Sequence, residues 1–194
     1  ALNYGTDKKD IINKILGGKG IETNSPMIGE VLDIADDFKK YDYDTEKAKK
    51  LLADSGWSNP DDKGVLNKTE KVKSKKDKPT TEKLTLQLTT PTWSELTNVA
   101  NLLKEQWAKI GVELVIEVLP APNLQQIIKE RNYQMFLFGE ILNMDPDPFS
   151  LWHSSQKRDP GLNLALYDNK SVDQLLEKAR QTLNPLERMK QYQD

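Results

Sequence analysis

Apolar positions along the chain switch between two spacings, and the switches predict the order of elements. Ile11, Ile12, Ile15 and Leu16 recur at helical spacing behind Asp7, a capping residue, and Gly17-Gly18 stops the run. Residues 19–43 keep no period and hold Gly20, Pro26 and Gly29, which predicts a long irregular excursion. A second helix starts behind Asp44, with Ala48, Leu51 and Leu52 inward, Gly56 at its end and Trp57 packing back on it. Leu84, Leu86 and Leu88 alternate with polar residues as a strand does. Thr92 and Glu95 then have the spacing of a capping box, ahead of Leu96, Val99, Ala100, Leu103, Trp107 and Ile110 at helical spacing and Gly111 as a stop. The Val-, Ile- and Leu-rich run 112–119 predicts the next strand, so this strand–helix–strand order requires parallel pairing through a right-handed crossover.

Pro120 and Pro122 open a further helix through Leu124, Ile127 and Ile128. The continuous apolar run Met135-Phe136-Leu137-Phe138 predicts a central strand covered on both faces. Beyond Gly139 the pattern breaks, and Asp145-Pro146-Asp147-Pro148 forbids regular structure. Ser171 and Gln174 predict a capped helix with Val172, Leu175, Leu176 and Ala179 inward; Asn184 caps a last one, with Pro185 at its first position. The fold class is therefore α/β, a mixed, largely parallel sheet flanked by helices.

Residues 58–82 form a polar, lysine-rich insertion with a short hairpin around Val65-Leu66. Its acids Asp61, Asp62, Glu70 and Asp77 dilute the charge and no aromatic ring interleaves with the lysines, so it reads as solvated surface and not as a phosphate-binding patch.

Composition narrows the function classes. The 194 residues are 37% hydrophobic and 30% charged with a net charge of -2, which gives no basic field for nucleic acid or an anionic membrane. There is no cysteine, which excludes a disulfide framework, a Cys-based zinc site and a thiol nucleophile. No apolar run approaches the length of a transmembrane segment. The chain opens without a leader and closes inside helical sequence, so it reads as a piece of something longer.

In an open parallel sheet, ligands meet the loops beyond the strand C-termini. Three loops qualify: 89–93, 119–123, and 139–148 with its extension to 155. They offer Thr92, Trp93 and Trp152 as flat or hydroxylated walls, and Glu140, Asp145 and Asp147 for a cationic group. Asn143, His153, Ser154 and Asn163 add neutral hydrogen-bonding groups. Each has a plainer structural reading, a sheet-edge cover for Trp93 and backbone capping in a Pro-rich turn for the two aspartates. The catalytic alternative is a carbohydrate-active or metal-assisted hydrolase using Asp145 and Asp147. Against it, His153 is the single histidine, no Gly-x-Ser-x-Gly elbow or Gly-rich phosphate loop occurs, and no calcium-hand spacing is present. No catalytic residue, metal ligand or cofactor is assigned.

Several separated stretches carry a resemblance. The opening 1–12, the block Tyr43-Asp44-Thr45-Glu46-Lys47-Ala48-Lys49-Lys50-Leu51-Leu52 with Ser55-Gly56-Trp57, and Leu103-Lys104-Glu105-Gln106-Trp107-Ala108-Lys109-Ile110-Gly111-Val112 follow one another in a fixed order. Asp145-Pro146-Asp147-Pro148 with Trp152-His153-Ser154-Ser155, and then 175–180, complete the set. In that order they resemble the extracellular solute-binding proteins of family 5, the peptide- and nickel-type receptors of ABC importers. The resemblance implies one lobe, 1–194, of a two-lobed type II periplasmic-binding-protein-like fold, with the N-terminal lobe and C-terminal end absent. It implies non-catalytic capture of an oligopeptide or similar small solute. Its implied partners are the missing lobe and an ABC permease, and its implied location is the extracellular face of the membrane, lipid-anchored, or the periplasm. In many oligopeptide receptors the loop after the apolar strand carries an acid associated with the peptide's amino terminus. An ungapped match puts Met144 there, leaving Glu140 and Asp145 as the nearby acids.

Overall fold

The computed structural model describes residues 1–26, 38–69, 80–141 and 147–194. They form two compact units: residues 1–22, 41–121 and 133–138 make the first, and 23–40, 122–132 and 139–194 make the second.

In the first unit, α1 (Lys8–Ile15) is capped by Asp7, whose carboxylate accepts the Asp10 N–H at 2.9 Å. The second helix, α2 (Thr45–Asp54), is capped in the same way by Asp44 on Lys47 N–H at 2.9 Å. Ala48 and Leu52 of α2 are buried, whereas Leu51, expected inward, is 37% exposed, because it sits one residue off the buried stripe. The Trp57 N–H reaches back to the Leu52 carbonyl at 3.0 Å beyond the left-handed Gly56, which closes the helix.

In the lysine-rich insertion Ser58 and Asn67 pair across an antiparallel bridge that closes a tight turn at 61–65, at the expected place beside Val65-Leu66, and a second antiparallel pair lies beyond it. Its strands are β1 (Asn67–Thr69) and β2 (Thr81–Lys83), antiparallel, and most of the lysines lie in 70–79, outside the described residues. Val65 is buried, and Leu66 packs on the core. Asp61 anchors this region. Its carboxyl is held at about 2, below the ordinary 3.8, first by the Lys83 ammonium hydrogen bond and then by the N–H groups of Val65 and Lys63. A folded pKa below the unfolded one means that this cluster stabilises the fold above about pH 3.8, an effect lost as pH falls from there through about 2. Lys83→Ala is expected to raise the Asp61 titration midpoint toward 3.8, read by carboxyl-carbon NMR.

The main sheet is parallel, with order β4-β3-β5. Strand β3 (Thr85–Pro91) pairs with β4 (Glu113–Leu119) from Thr85↔Glu113 to Pro91↔Leu119. Between them lies α3 (Ser94–Ala108), so the parallel pairing read from the strand–helix–strand pattern is present. On the other side β3 pairs with β5 (Met135–Phe136), two residues long. The central strand is thus β3, and among the described residues the apolar run at 135–138 forms an edge. The core gathers Tyr4, Ala48, Leu52, Leu84, Leu88, Ala100, Trp107, Ile110, Val112 and Leu114. Gly111 turns the chain from α3 into β4 at φ +82°, and a Cβ there would lie 2.5 Å from Leu66 Cγ. Both the left-handed backbone and the closeness of Leu66 call for glycine.

The sequence pattern misplaces two caps. Trp93, not Thr92, precedes the first turn of α3 and makes no side-chain capping bond, so the Thr92–Glu95 box does not form. Asn169, not Ser171, caps the helix at Lys170–Gln181, accepting the N–H groups of Ser171 and Val172 at 3.0 and 3.4 Å. Asparagine is as good a cap as serine, and the helix starts at the earlier of the two.

The second unit holds α4 (Ala121–Glu130, from 122 on), the single-turn α5 (Phe149–Trp152), a 3-10 turn (Ser154–Gln156), α6 (Lys170–Gln181) and α7 (Pro185–Gln193). Asn184 caps α7 as the sequence predicts, with Pro185 at its start. Leu124, Leu176 and Ala179 are the buried aliphatic positions here. Among the described residues no helix is long and apolar enough to cross a membrane.

Candidate solute-binding site

The chain passes from the first unit to the second after Glu22, Ala121 and Phe138, the last two just beyond the C-terminal end of a parallel strand. The loops singled out from the sequence therefore belong to different units and are taken in turn.

In the first unit, a row of four aromatic rings runs along β5, from Tyr133 ahead of it to Phe138 beyond it, and continues to Trp93 after β3. Trp93 lies 5.4 Å from Phe138, Phe138 stacks 5.4 Å from Phe136, and Phe136 stacks 5.1 Å from Tyr133. The row exists because Phe136 and Phe138 point to one face of an extended segment and Trp93 leads into α3 beside them. Its outer members stay in water: Trp93 is 53% exposed and Phe138 is 36% exposed. Thr92 is exposed next to Trp93. Beneath the row, Thr90 is fully buried and its hydroxyl donates to the Leu137 carbonyl at 3.1 Å, tying the ends of β3 and β5 together. Of these four rings the sequence singles out only Trp93, together with the neighbouring Thr92. Phe136 and Phe138 were read as core, since an apolar run alone does not reveal that its strand lies at an edge.

In the second unit, Glu140 is exposed and forms no ion pair with a described residue. Asn143 and Asp145 lie outside the described residues. Asp147 is committed within the protein. One of its oxygens, Oδ2, takes Arg180 Nε at 2.7 Å and Nη2 at 2.6 Å, and the other accepts the Phe149 N–H at 3.1 Å. The hydrolase alternative needed Asp147 as a working acid or base, and a carboxylate held by a guanidinium suits neither role. Among the described residues no group of three metal-ligating side chains converges.

Trp152 is half-buried and lines an apolar hollow of about 310 Å³ with Tyr167, Val172, Leu175 and Leu176. Its ring meets Tyr167 edge-on at 6.2 Å. His153 is buried and stacks on Phe149 at 4.1 Å. Its Nδ1 accepts the Ser155 N–H at 3.1 Å, so the proton of the neutral ring sits on Nε2. That Nε2 lies 3.4 Å from Glu177 and 3.8 Å from Asp173, and has no hydrogen-bond partner among the described residues. Ser154 gives both its N–H (2.8 Å) and its hydroxyl (2.6 Å) to Asp173 of α6. Burial pushes the Asp173 carboxyl up, but these two bonds and the neighbouring His153 and Lys157 outweigh it and hold the group below its ordinary value.

Asn163 has no exposed surface. Its amide donates to the carbonyls of Trp152, His153 and Tyr167 at 3.3, 3.1 and 2.9 Å, and its oxygen accepts the Tyr167 N–H at 3.0 Å. It is the internal peg of the 152–167 loop and touches no solvent. Of the ten residues singled out from the sequence, Trp152, His153, Ser154 and Asn163 do come together, but around one another. Asp147 joins them through Phe149, and Thr92 and Trp93 stand in the other unit.

Comparison with known proteins identifies the architecture. Residues 1–161 match the bacterial extracellular solute-binding proteins, family 5 Middle. The chain belongs to this family. The oligopeptide-binding protein AppA of Bacillus subtilis is 28% identical over 200 residues, which cover 100% of the chain and 34% of AppA. The solved structure of that protein, in complex with a nonapeptide, superposes with a TM-score of 0.82 at 25% identity, over 99% of the chain and 37% of AppA. NikZ of Campylobacter jejuni, solved in complex with Ni(L-His), gives 0.79 at 29% identity over 99% of the chain and 37% of NikZ. Heme-binding protein A of Haemophilus influenzae is 28% identical over 99% of the chain and 32% of its own length. The chain thus spans about a third of the curated relatives that it matches. The mixed α/β fold with a parallel sheet is that of a segment of these binding proteins.

Proposed function

We propose that this chain supplies part of the solute-gripping surface of an ABC-importer receptor that captures oligopeptides or similar small solutes without altering them. The observation that carries the reading is the water-exposed pair Trp93 and Phe138, where the aromatic row reaches the C-terminal ends of β3 and β5, the end of a parallel sheet where ligands are met. Rings left in water at such a position recover their hydration cost when an apolar or planar group covers them. Glu140, two residues beyond Phe138 and without an ion pair to a described residue, is the acid offered to a cationic group. Asn143 and Asp145, singled out from the sequence alone, are offered as further polar contacts, and the remaining lobe supplies the opposing wall. Peptide is favoured as the solute because the relatives include peptide-binding proteins over the whole of this chain. The receptor works outside the cell membrane, lipid-anchored or in a periplasm, and hands its solute to a permease.

The test is to purify the complete receptor and identify what accompanies it by native mass spectrometry. A co-purifying peptide supports the reading; a cleaved sugar or peptide product accumulating with time refutes it. In the same receptor, Trp93→Ala is expected to weaken solute binding about 3- to 10-fold by calorimetry, the worth of one aromatic contact. Unchanged affinity would remove the row from the binding surface.

A further inference from the structure

We infer that Trp93 and Phe138 form a subsite that selects an aromatic side chain of the solute; the inference rests on the proposed capture of peptides. Both rings stand in the first unit. The four rings of the row follow one another at nearly constant spacing, 5.1, 5.4 and 5.4 Å between centroids from Tyr133 to Trp93, and at shallow angles of 27°, 14° and 31°. That is an offset stack, the arrangement in which the electron-rich face of one ring avoids the face of the next. Its Tyr133 end is half-buried, and its Trp93 end is open to water. A stack that stops at an exposed indole offers its next place to another flat ring.

The backbone beneath the open end is fixed before any solute arrives. The Leu137 N–H donates to the Thr89 carbonyl at 3.0 Å, and the Thr90 hydroxyl donates to the Leu137 carbonyl at 3.1 Å. Met135 and Leu137 pack on the core, so Phe136 and Phe138, which alternate with them, turn to the other face. Trp93 is held from its own side, where its carbonyl accepts the Thr97 N–H at 3.0 Å. Rings mounted on such supports lose little freedom when covered, so a ring contact converts into affinity at small entropic cost. The same position disfavours a cation. Trp93 is the N-cap residue of α3 and makes no side-chain capping bond, so the positive end of the helix lies beside its ring, offset in part by Glu95 of the first turn. An ammonium or guanidinium over the indole meets that field, whereas a neutral ring does not. An aliphatic side chain covers the same area but lacks the quadrupole that favours a stacked pair.

The experiment uses the full-length receptor and three pools of alanine tetrapeptides in which one residue, at each position in turn, is phenylalanine, cyclohexylalanine or lysine. Cyclohexylalanine has the size of phenylalanine and is the more apolar, so burial alone favours it. The phenylalanine pool is nevertheless expected to bind the tighter of these two by about 2- to 10-fold in calorimetry, the worth of one ring–ring contact. Trp93→Leu is expected to bring that ratio close to one, Trp93→Phe to keep most of it, and Phe138→Leu to lower it. The melting temperature should shift by only a few degrees in each variant, because both rings are exposed. Equal or reversed affinities of the two apolar pools in the wild-type receptor overturn the inference and leave peptide capture standing. So does a ratio that survives Trp93→Leu, or a lysine pool that binds tightest and loses its advantage in that variant. A wild-type receptor that binds none of the pools overturns the peptide reading, and the inference falls with it.

Discussion

Replacing Trp107 with alanine is expected to lower the unfolding free energy by about 3–5 kcal/mol, the range for emptying a buried aromatic site. Trp107 is 5% exposed and lies in the core between α3 and the sheet, with Leu88, Ile110 and Val112. Its indole N–H donates to the Thr6 hydroxyl at 2.9 Å, and that hydroxyl donates to the Leu2 carbonyl at 2.9 Å. The side chain therefore fills volume and also pins the start of the chain to α3. Phenylalanine at this position keeps most of the volume and loses the one hydrogen bond, so it is expected to cost about 1–2 kcal/mol. Denaturant titrations of the two variants separate the contributions: the midpoints should shift in that ratio with unchanged slopes. Equal losses would mean that the hydrogen bond, not the packing, dominates.

Asn163→Asp is expected to be nearly as damaging, by about 3–5 kcal/mol at neutral pH, because it places an unpaired charge in a buried site. The asparagine amide faces three carbonyl oxygens, of Trp152, His153 and Tyr167. A carboxylate there is repelled by all three, and a protonated carboxyl has one hydrogen to offer them. Burial and the carbonyl dipoles both raise the folded-state pKa of the introduced acid. A raised folded pKa means that the variant approaches wild-type stability only below the unfolded value of about 3.9 and loses ground as pH rises above it. Stability measured against pH should therefore fall between about pH 4 and 7 in the variant relative to wild type. A flat difference across that range would show that the site admits water.

Local chemistry in the sequence located much of the fold. Asp7, Asp44 and Asn184 cap helices because each meets the first free N–H groups of a run of apolar positions, and such signals need only a few neighbouring residues. Parallel pairing of β3 and β4 followed from the helix that must fit between them. What failed depended on distant partners. The run 135–138 looks central by composition, yet its position depends on which strands lie beside it. Gln106 of α3 carries no signal of burial in its neighbours, yet it is 2% exposed; its side-chain amide accepts the Asp7 N–H at 2.9 Å and donates to the Asp7 carbonyl at 3.3 Å.

The candidate site was legible only in outline for the same reason. The three loops were found from strand ends, but the role of a residue within a loop is set by what it touches. Asp147 meets Arg180, 33 residues away, and Asn163 meets carbonyls from both directions along the chain. No spacing announces either. The aromatic row was half read: Trp93 stood out as an isolated indole after a strand, while Phe136 and Phe138 hid inside an apolar run. Trp152, which from its polar neighbours promised an open ring, is drawn into the hollow beside α6 by Tyr167 and the aliphatic residues there.

The clasp between Asp7 and Gln106 has a consequence for how the chain acquires its shape. Nearly a hundred residues separate the two, so a ribosome must deliver the whole of α2, the hairpin and most of α3 before the first helix finds its seat. Until then α1, eight residues long with none buried, has too few turns to persist in water. Closing so distant a contact is among the slower steps open to a domain of this size. The opening segment therefore stays unseated until α3 has been made, and its amides are expected to lose protection early when the folded chain opens locally.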